Sequence, residues 1–253
     1  MKKKLSILEV SACSNKQASK KLKFVGNTDE RIVFMFHKIL QKDAYDIISV
    51  RDISWSALER VKHKLGACGY KLYIHKDWDN IKDKWRYSCL SAVFCREDVK
   101  FERLYTSECF DTVFRYVYGK IELGDNEIYY KTNHIPCVDD SKSHVTNQIK
   151  RKESMLVDEI EFQKSKENCL AISAGDFNGA PSTGDFYCQD LFDNFSFVDT
   201  VLADTYEDKM LDHCYISKAL RDSDIVKVKT EVLNDYYMLF TDHKLITITL
   251  EAA

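Results

Sequence analysis

Leu170-Ala171-Ile172-Ser173-Ala174-Gly175-Asp176-Phe177-Asn178 is the segment from which the chain is best read. Small and apolar residues of strand character lead into a carboxylate and, two residues later, a carboxamide. Side chains alternate along a strand, so Asp176 and Asn178 should point to the same side. A carboxylate can accept a proton from a water molecule while an amide donates to a phosphoryl oxygen. Alone, the Gly-Asp step could equally be a turn.

Three further clusters share this arrangement. Met210 to Ser217 places Asp212 at the head of a second apolar strand, and Asp242-His243 stands just before a third, Lys244 to Leu250. His134 in Thr132-Asn133-His134 closes a strand centred near Tyr129. Singly, an acid before a strand is most often a solvated end, and an Asp-His pair most often a cap. Four such clusters, each at a strand end, make a joint pattern, and ligand sites in α/β folds form at strand ends.

The rest of the chain reads as α/β. Apolar runs at Leu5–Val10, Tyr45–Val50, Leu90–Cys95, Glu127–Lys131, Leu170–Ala174 and Leu245–Leu250 alternate with segments of helical period. One helix should follow the cap candidates Asn27 and Thr28, another should start near Ser54 or Ser56 and stop by Gly66 or Gly69, and a third should span about Thr146 to Lys164. With 253 residues, two Pro, eight Gly and no Ser- or Pro-rich linker, a single domain over residues 1–253 is expected. There is no run of the length a membrane span needs, and Glu9 interrupts the start where a signal peptide needs apolar length, so a cytoplasmic protein without stable membrane association is expected. Nine cysteines without a C-x-x-C pair suggest neither a disulfide framework nor a structural zinc site. His134-x-x-Cys137 and Asp212-His213-Cys214 contain zinc-type ligands at unspecific spacing, and abundant thiols are more often buried filler. A net charge of −3 offers no global attraction to polyanions, so nucleic-acid binding would need a local basic surface or a bound metal.

AGDFN, LDHCYIS and TDHKLITITL, in this order and with TNH upstream, resemble the endonuclease/exonuclease/phosphatase family, which includes DNase I-like and apurinic-site nucleases. The resemblance implies an α/β four-layer sandwich of two mixed β-sheets flanked by helices. It implies that Asp176 orients the attacking water, that Asn178 holds the phosphate, and that His243, partnered by Asp212, contacts it. It also implies a second histidine at His134, an acid at Asp242 near the metal, and a phosphate-contacting Arg near Arg115.

Four positions depart from the family pattern. The metal-binding Glu closing a "DIISLQE" strand is replaced by Asp52 in Asp46 to Asp52, a carboxylate drawn back by roughly 1.5 Å. Mg²⁺ tolerates little distortion, so water could bridge or Mn²⁺ could serve better. Gln before that Glu is replaced by Arg51. The first-strand Asn falls at Ser11, with Asn15 nearby in the wrong register, and the acid that would orient His134 falls near Cys89.

The expected activity is Mg²⁺-dependent hydrolysis of a nucleic-acid phosphodiester, DNA before RNA, by an Asp-activated water. Lys16, Lys20, Lys21 and Lys23 with Arg51 could line a phosphate groove, although such a lysine run is more often a solvated loop. The alternatives are a phosphatase or phosphodiesterase acting on a lipid headgroup or nucleotide, and a catalytically lapsed member that binds a partner.

Overall fold

The structure, a computed structural model, describes residues 2–12, 27–74, 90–104, 114–138, 145–179, 187–206, 209–233 and 240–253. Lys16, Lys20, Lys21, Lys23, Asn15 and Cys89 lie outside the described residues.

Among the described residues, twelve strands form two mixed six-stranded sheets. The first contains β1 (Lys4–Ser11), β2 (Ile47–Ile53), β3 (Tyr70–Tyr73), β4 (Leu90–Arg96), β11 (Val226–Leu233) and β12 (Leu245–Ala252), in the order β11-β12-β1-β2-β4-β3. The second contains β5 (Phe101–Leu104), β6 (Tyr116–Leu123), β7 (Asn126–His134), β8 (Ala171–Asp176), β9 (Val198–Asp199) and β10 (Asp212–Ile216), in the order β5-β6-β7-β8-β10-β9. Each sheet has one parallel pair at its centre, β1 with β2 and β7 with β8.

Helices α1 (Thr28–Lys42) and α2 (Trp55–Gly66) cover the outer face of the first sheet. Asn27 caps α1 in a reciprocal capping box with Glu30, and the Ser54 hydroxyl caps α2, so local sequence sets both starts. Helix α3 (Val145–Lys166) covers the outer face of the second sheet, joined by the single-turn α4 (Gln189–Phe192); α5 (Lys218–Arg221) follows β10. Between the sheets lies an apolar layer that includes Ile7, Ile47, Ile128, Ile172, Cys214 and Ile248. The expected four-layer sandwich is the architecture found. No helix among the described residues is long and apolar enough to cross a membrane.

Alternation along the strands explains how the sandwich makes a site. Ile7 and Ile47 face the inter-sheet layer, while Leu8 and Ile48 face α1 and α2. Continuing the same alternation brings Glu9, Ser11, Ser49 and Arg51 to the inner side. From the facing sheet, Thr132, His134, Asp176 and Asp212 continue the inner series of Ile128, Ile172 and Cys214. The core is therefore apolar at one end and polar at the other. Ser49 Oγ donates to Thr132 Oγ1 across the sheets at 2.8 Å, where that change occurs.

Candidate functional site

The polar end of the sandwich is built on register. Parallel pairing of β7 and β8 sets His134 opposite Asp176, and antiparallel pairing of β8 and β10 sets Asp176 opposite Asp212. Gly175 makes this possible: its φ is +140°, and a Cβ there would stand 2.1 Å from the Asn133 carbonyl oxygen. Only glycine admits so close a backbone approach. The fourth residue, His243, comes from the loop before β12 of the other sheet and bonds through Nδ1 to Asp212 Oδ2 at 2.6 Å.

Asp176 is 3% exposed, Asp212 0% and His243 8%. His134 Nε2 is 3.9 Å from Asp176 Oδ2, and Arg115, in the bend before β6, brings Nη1 to 3.4 Å from His134 Nδ1. Asp176 Oδ1 accepts the Asn178 backbone N–H at 2.9 Å. Asn178 has a left-handed φ of 46°, donates through Nδ2 to the Ile135 carbonyl at 2.9 Å, and has its own carbonyl held by the buried Lys152 ammonium of α3 at 2.9 Å. Asparagine is among the residues that best tolerate this backbone conformation.

These surroundings separate the charge states. Burial pushes the Asp176 carboxyl up to about 6, against the pull of His243. Burial acts the same way on Asp212, but His243 and Arg51 prevail and hold it down at about 2. Burial alone would lower His243; the Asp212 carboxylate overrides it and raises the imidazole to about 9. His134 is driven well below the ordinary histidine value, first by burial and then by the Arg115 and Arg51 charges. Near neutral pH the site therefore holds an imidazolium, His243, and a neutral imidazole, His134, on either side of Asp176.

The expectation that Arg51 lines a phosphate groove is corrected by its burial between Glu9 and Asp212, and the sequence assigned no role to the other residues that support these groups. The Arg51 guanidinium is 1% exposed and bridges Glu9 of β1, which is 0% exposed, and Asp212 Oδ1, the latter at 2.7 Å. Glu9 also accepts from Tyr130 Oη and from Thr132 Oγ1. Thr205 Oγ1 accepts from the Asp212 backbone N–H at 2.9 Å, and the Tyr206 ring packs on His243 with centroids 4.9 Å apart. Arg31 of α1 donates to the Phe240 and Ala12 carbonyls, tying the His243 loop to the end of β1. A charge at alternate positions of a buried strand, Glu9 in β1 and Arg51 in β2, was the available signal.

Asp176, Asp212 and His243 each offer one ligand atom, all within 4.8 Å of one another, which makes them a possible divalent-metal site. Asp52 and Asp242 do not join that group. Asp52 sits at the register shift between Val50 and Ile53 with a left-handed φ of 50°, and Asp242 is half-buried beside His243. Ser11 is buried, its carbonyl accepting from Thr241 Oγ1 at 2.6 Å. Two carboxylates, joined by an imidazole once His243 gives up its proton, fit a divalent ion, and this mixed donor set suits Mn²⁺ at least as well as Mg²⁺. Both Asp212 oxygens are already bonded, so the open donor capacity rests chiefly with Asp176. Cys137 is exposed and Cys214 faces the apolar core, and neither joins this group. A surface depression of about 270 Å³ beside Tyr73, Phe101 and Lys120 is lined by none of these residues.

No family model matches the sequence, and no curated protein does. Solved structures do match. The human nocturnin catalytic domain with bound sulfate aligns with a TM-score of 0.65 at 14% identity, over 100% of this chain and 96% of that one. An endonuclease/exonuclease/phosphatase family protein of Bacteroides thetaiotaomicron aligns with a TM-score of 0.61 at 17% identity, over 99% and 98%. TDP2 of D. rerio, complexed with a single-strand DNA product, aligns with a TM-score of 0.60 at 15% identity, over 98% and 99%. The chain has the endonuclease/exonuclease/phosphatase fold. Within that fold, the end of the sandwich that carries His134, Asp176, Asp212 and His243 is the candidate site.

Proposed function

We propose that this chain is a metal-dependent phosphodiesterase that hydrolyses nucleic acid, DNA before RNA. The observation that carries the reading is the seating of one carboxylate, Asp176, between a neutral and a charged histidine at the polar end of the sandwich. Hydrolysis of a phosphodiester needs a base for water, donors for the phosphoryl oxygens, and neutralisation of the leaving oxygen.

In this reading Asp176, ionised above pH of about 6, orients the attacking water and takes its proton. His243 donates to a phosphoryl oxygen, and Asp212 fixes which ring nitrogen faces inward by holding Nδ1. His134, neutral, donates a hydrogen bond from its ring N–H to a second phosphoryl oxygen, with Arg115 beside it to contact the phosphate. The Asn178 amide has a second N–H beyond the one given to Ile135, and it holds the scissile phosphate. Ser11 lines the same end from β1. Asp176 and Asp212 would hold a divalent ion, with Asp52 and Asp242 as its further acids, and the ion would supply neutralisation of charge on the phosphate and leaving oxygen. The neighbour solved with a single-strand DNA product supports a nucleic-acid substrate over a lipid headgroup.

The deciding experiment is nicking of supercoiled plasmid in Mg²⁺ or Mn²⁺ by the wild type and by Asp176→Ala purified identically. Metal-dependent nicking lost in the variant supports the reading. Absence of nicking with either metal, followed by cleavage of RNA, nucleotides or lipid headgroups, would overturn the DNA assignment.

A further inference from the structure

A buried arginine in the interior of an α/β sandwich is costly to desolvate and persists only with partners on several sides. Arg51 has them. One branch of its fork binds Glu9 and another binds Asp212 Oδ1 at 2.7 Å, while Nε has no partner. Glu9 is in turn held by Tyr130 and Thr132 of the facing sheet. Asp212 is thus clamped from both ends: Oδ1 by Arg51, Oδ2 by His243 at 2.6 Å. The same carboxylate belongs to the group able to hold a divalent ion. A fixed positive charge one carboxylate away from an incoming dication repels it, and through a protein interior that repulsion is large.

We infer that Arg51 is a resident countercharge and a positioning residue: it locks Asp212 onto His243 and holds down the affinity of the Asp176-Asp212-His243 group for a divalent ion. The site then carries one permanent cation of its own and takes the metal weakly, chiefly through Asp176. Lysine could keep the charge but not the fork, since one ammonium on a flexible stem does not replace a planar guanidinium bridging Glu9 and Asp212.

Mn²⁺ binding, followed by the electron paramagnetic resonance signal of the free ion, tests the electrostatic half without any substrate. Wild type, Arg51→Gln, Arg51→Lys and the double variant Glu9→Gln/Arg51→Gln are titrated, each checked by circular dichroism; the double variant removes the whole ion pair, cation and the more distant anion together, without stranding Glu9. The expected result is affinity about tenfold or more tighter in Arg51→Gln, a smaller tightening in the double variant, where loss of the Glu9 anion offsets part of the change, and no change in Arg51→Lys. Equal affinity in all folded proteins, or tight binding already in the wild type, would overturn it. The positioning half rests on the proposed phosphodiesterase activity: at saturating metal, kcat should fall in both Arg51→Gln and Arg51→Lys with KM unchanged. A folded Arg51→Lys with wild-type kcat would overturn that half. Because the metal titration needs no turnover, a failure of the proposed activity would leave its result readable on its own.

Discussion

His243 and Asp212 belong to different sheets, and the 2.6 Å hydrogen bond between Nδ1 and Oδ2 joins them at the polar end of the sandwich. The bond draws together a loop that opens β12 and the first residue of β10. It makes the candidate site a property of the closed sandwich rather than of either sheet.

Loss of this pair should have a pH signature when metal is chelated. The His243 pKa is raised from 6.5 to about 9, so its contribution to stability is fully present below 6.5 and lost as pH rises through about 9. The Asp212 pKa is lowered from 3.8 to about 2, so its contribution is present above 3.8 and lost as pH falls through about 2. Asp212→Asn should therefore cost about 3 kcal/mol near pH 5 to 6, with the deficit shrinking as pH rises past about 9. Urea melts of both proteins in EDTA across this range are the check; a deficit independent of pH would contradict the pairing.

Asp176 should behave in the opposite sense. Its folded pKa is raised from 3.8 to about 6, so burying its charge destabilises the protein increasingly above 3.8 and to the full extent above about 6. Asp176→Asn should raise Tm at pH 8, equivalent to about 1 to 3 kcal/mol, and the gain should vanish below pH of about 4. Turnover of the same variant should fall about a thousandfold. Paired melting and nicking assays distinguish this from a structural role, in which both would fall together.

Gly175→Ala should be one of the most damaging single-methyl changes in the chain. The added carbon would overlap the Asn133 carbonyl at 2.1 Å in a backbone conformation that disfavours a side chain, forcing β7 and β8 apart at the His134 and Asp176 pair. A loss of about 3 kcal/mol or more is expected by chemical denaturation.

Lys152→Met tests the loop from behind. The ammonium that holds the Asn178 carbonyl is replaced by an apolar chain of similar reach, so α3 should remain packed while the Asn178 backbone loosens. The expected outcome is kcat lower by about tenfold with stability changed by about 1 to 2 kcal/mol. Kinetics beside a thermal melt would show whether the two losses separate.

Much of this arrangement is legible in the sequence, and the physical reason is location. Strands buried on both faces, such as Leu90 to Cys95, read as apolar runs, and helices with side-chain caps at Asn27 and Ser54 announce their starts. The half-exposed β11, in which Val226 and Val228 alternate with Lys227 and Lys229, carries no such run; nor does β6, which turns into β7 at Gly124. The cluster of Asp176, Asp212, His243 and His134 could be anticipated because each residue ends or precedes a strand. The network of Glu9, Arg51 and Asp212 could not be assembled by reading alone, since the Arg51 contact with Asp212 depends on the packing of one sheet over the other.

The position of β12 has a consequence for biosynthesis. It is an interior strand, lying between β11 and β1, yet it follows both in the chain. A nascent chain emerging from the ribosome can assemble the second sheet with Asp176 and Asp212 in place, while the first sheet waits with a gap beside β1. Residue His243 and the strand that fills the gap are translated within a few residues of each other. Closure of the sheet and completion of the site are thus a single late event, and a half-made molecule has carboxylates at this end without the histidine that partners them.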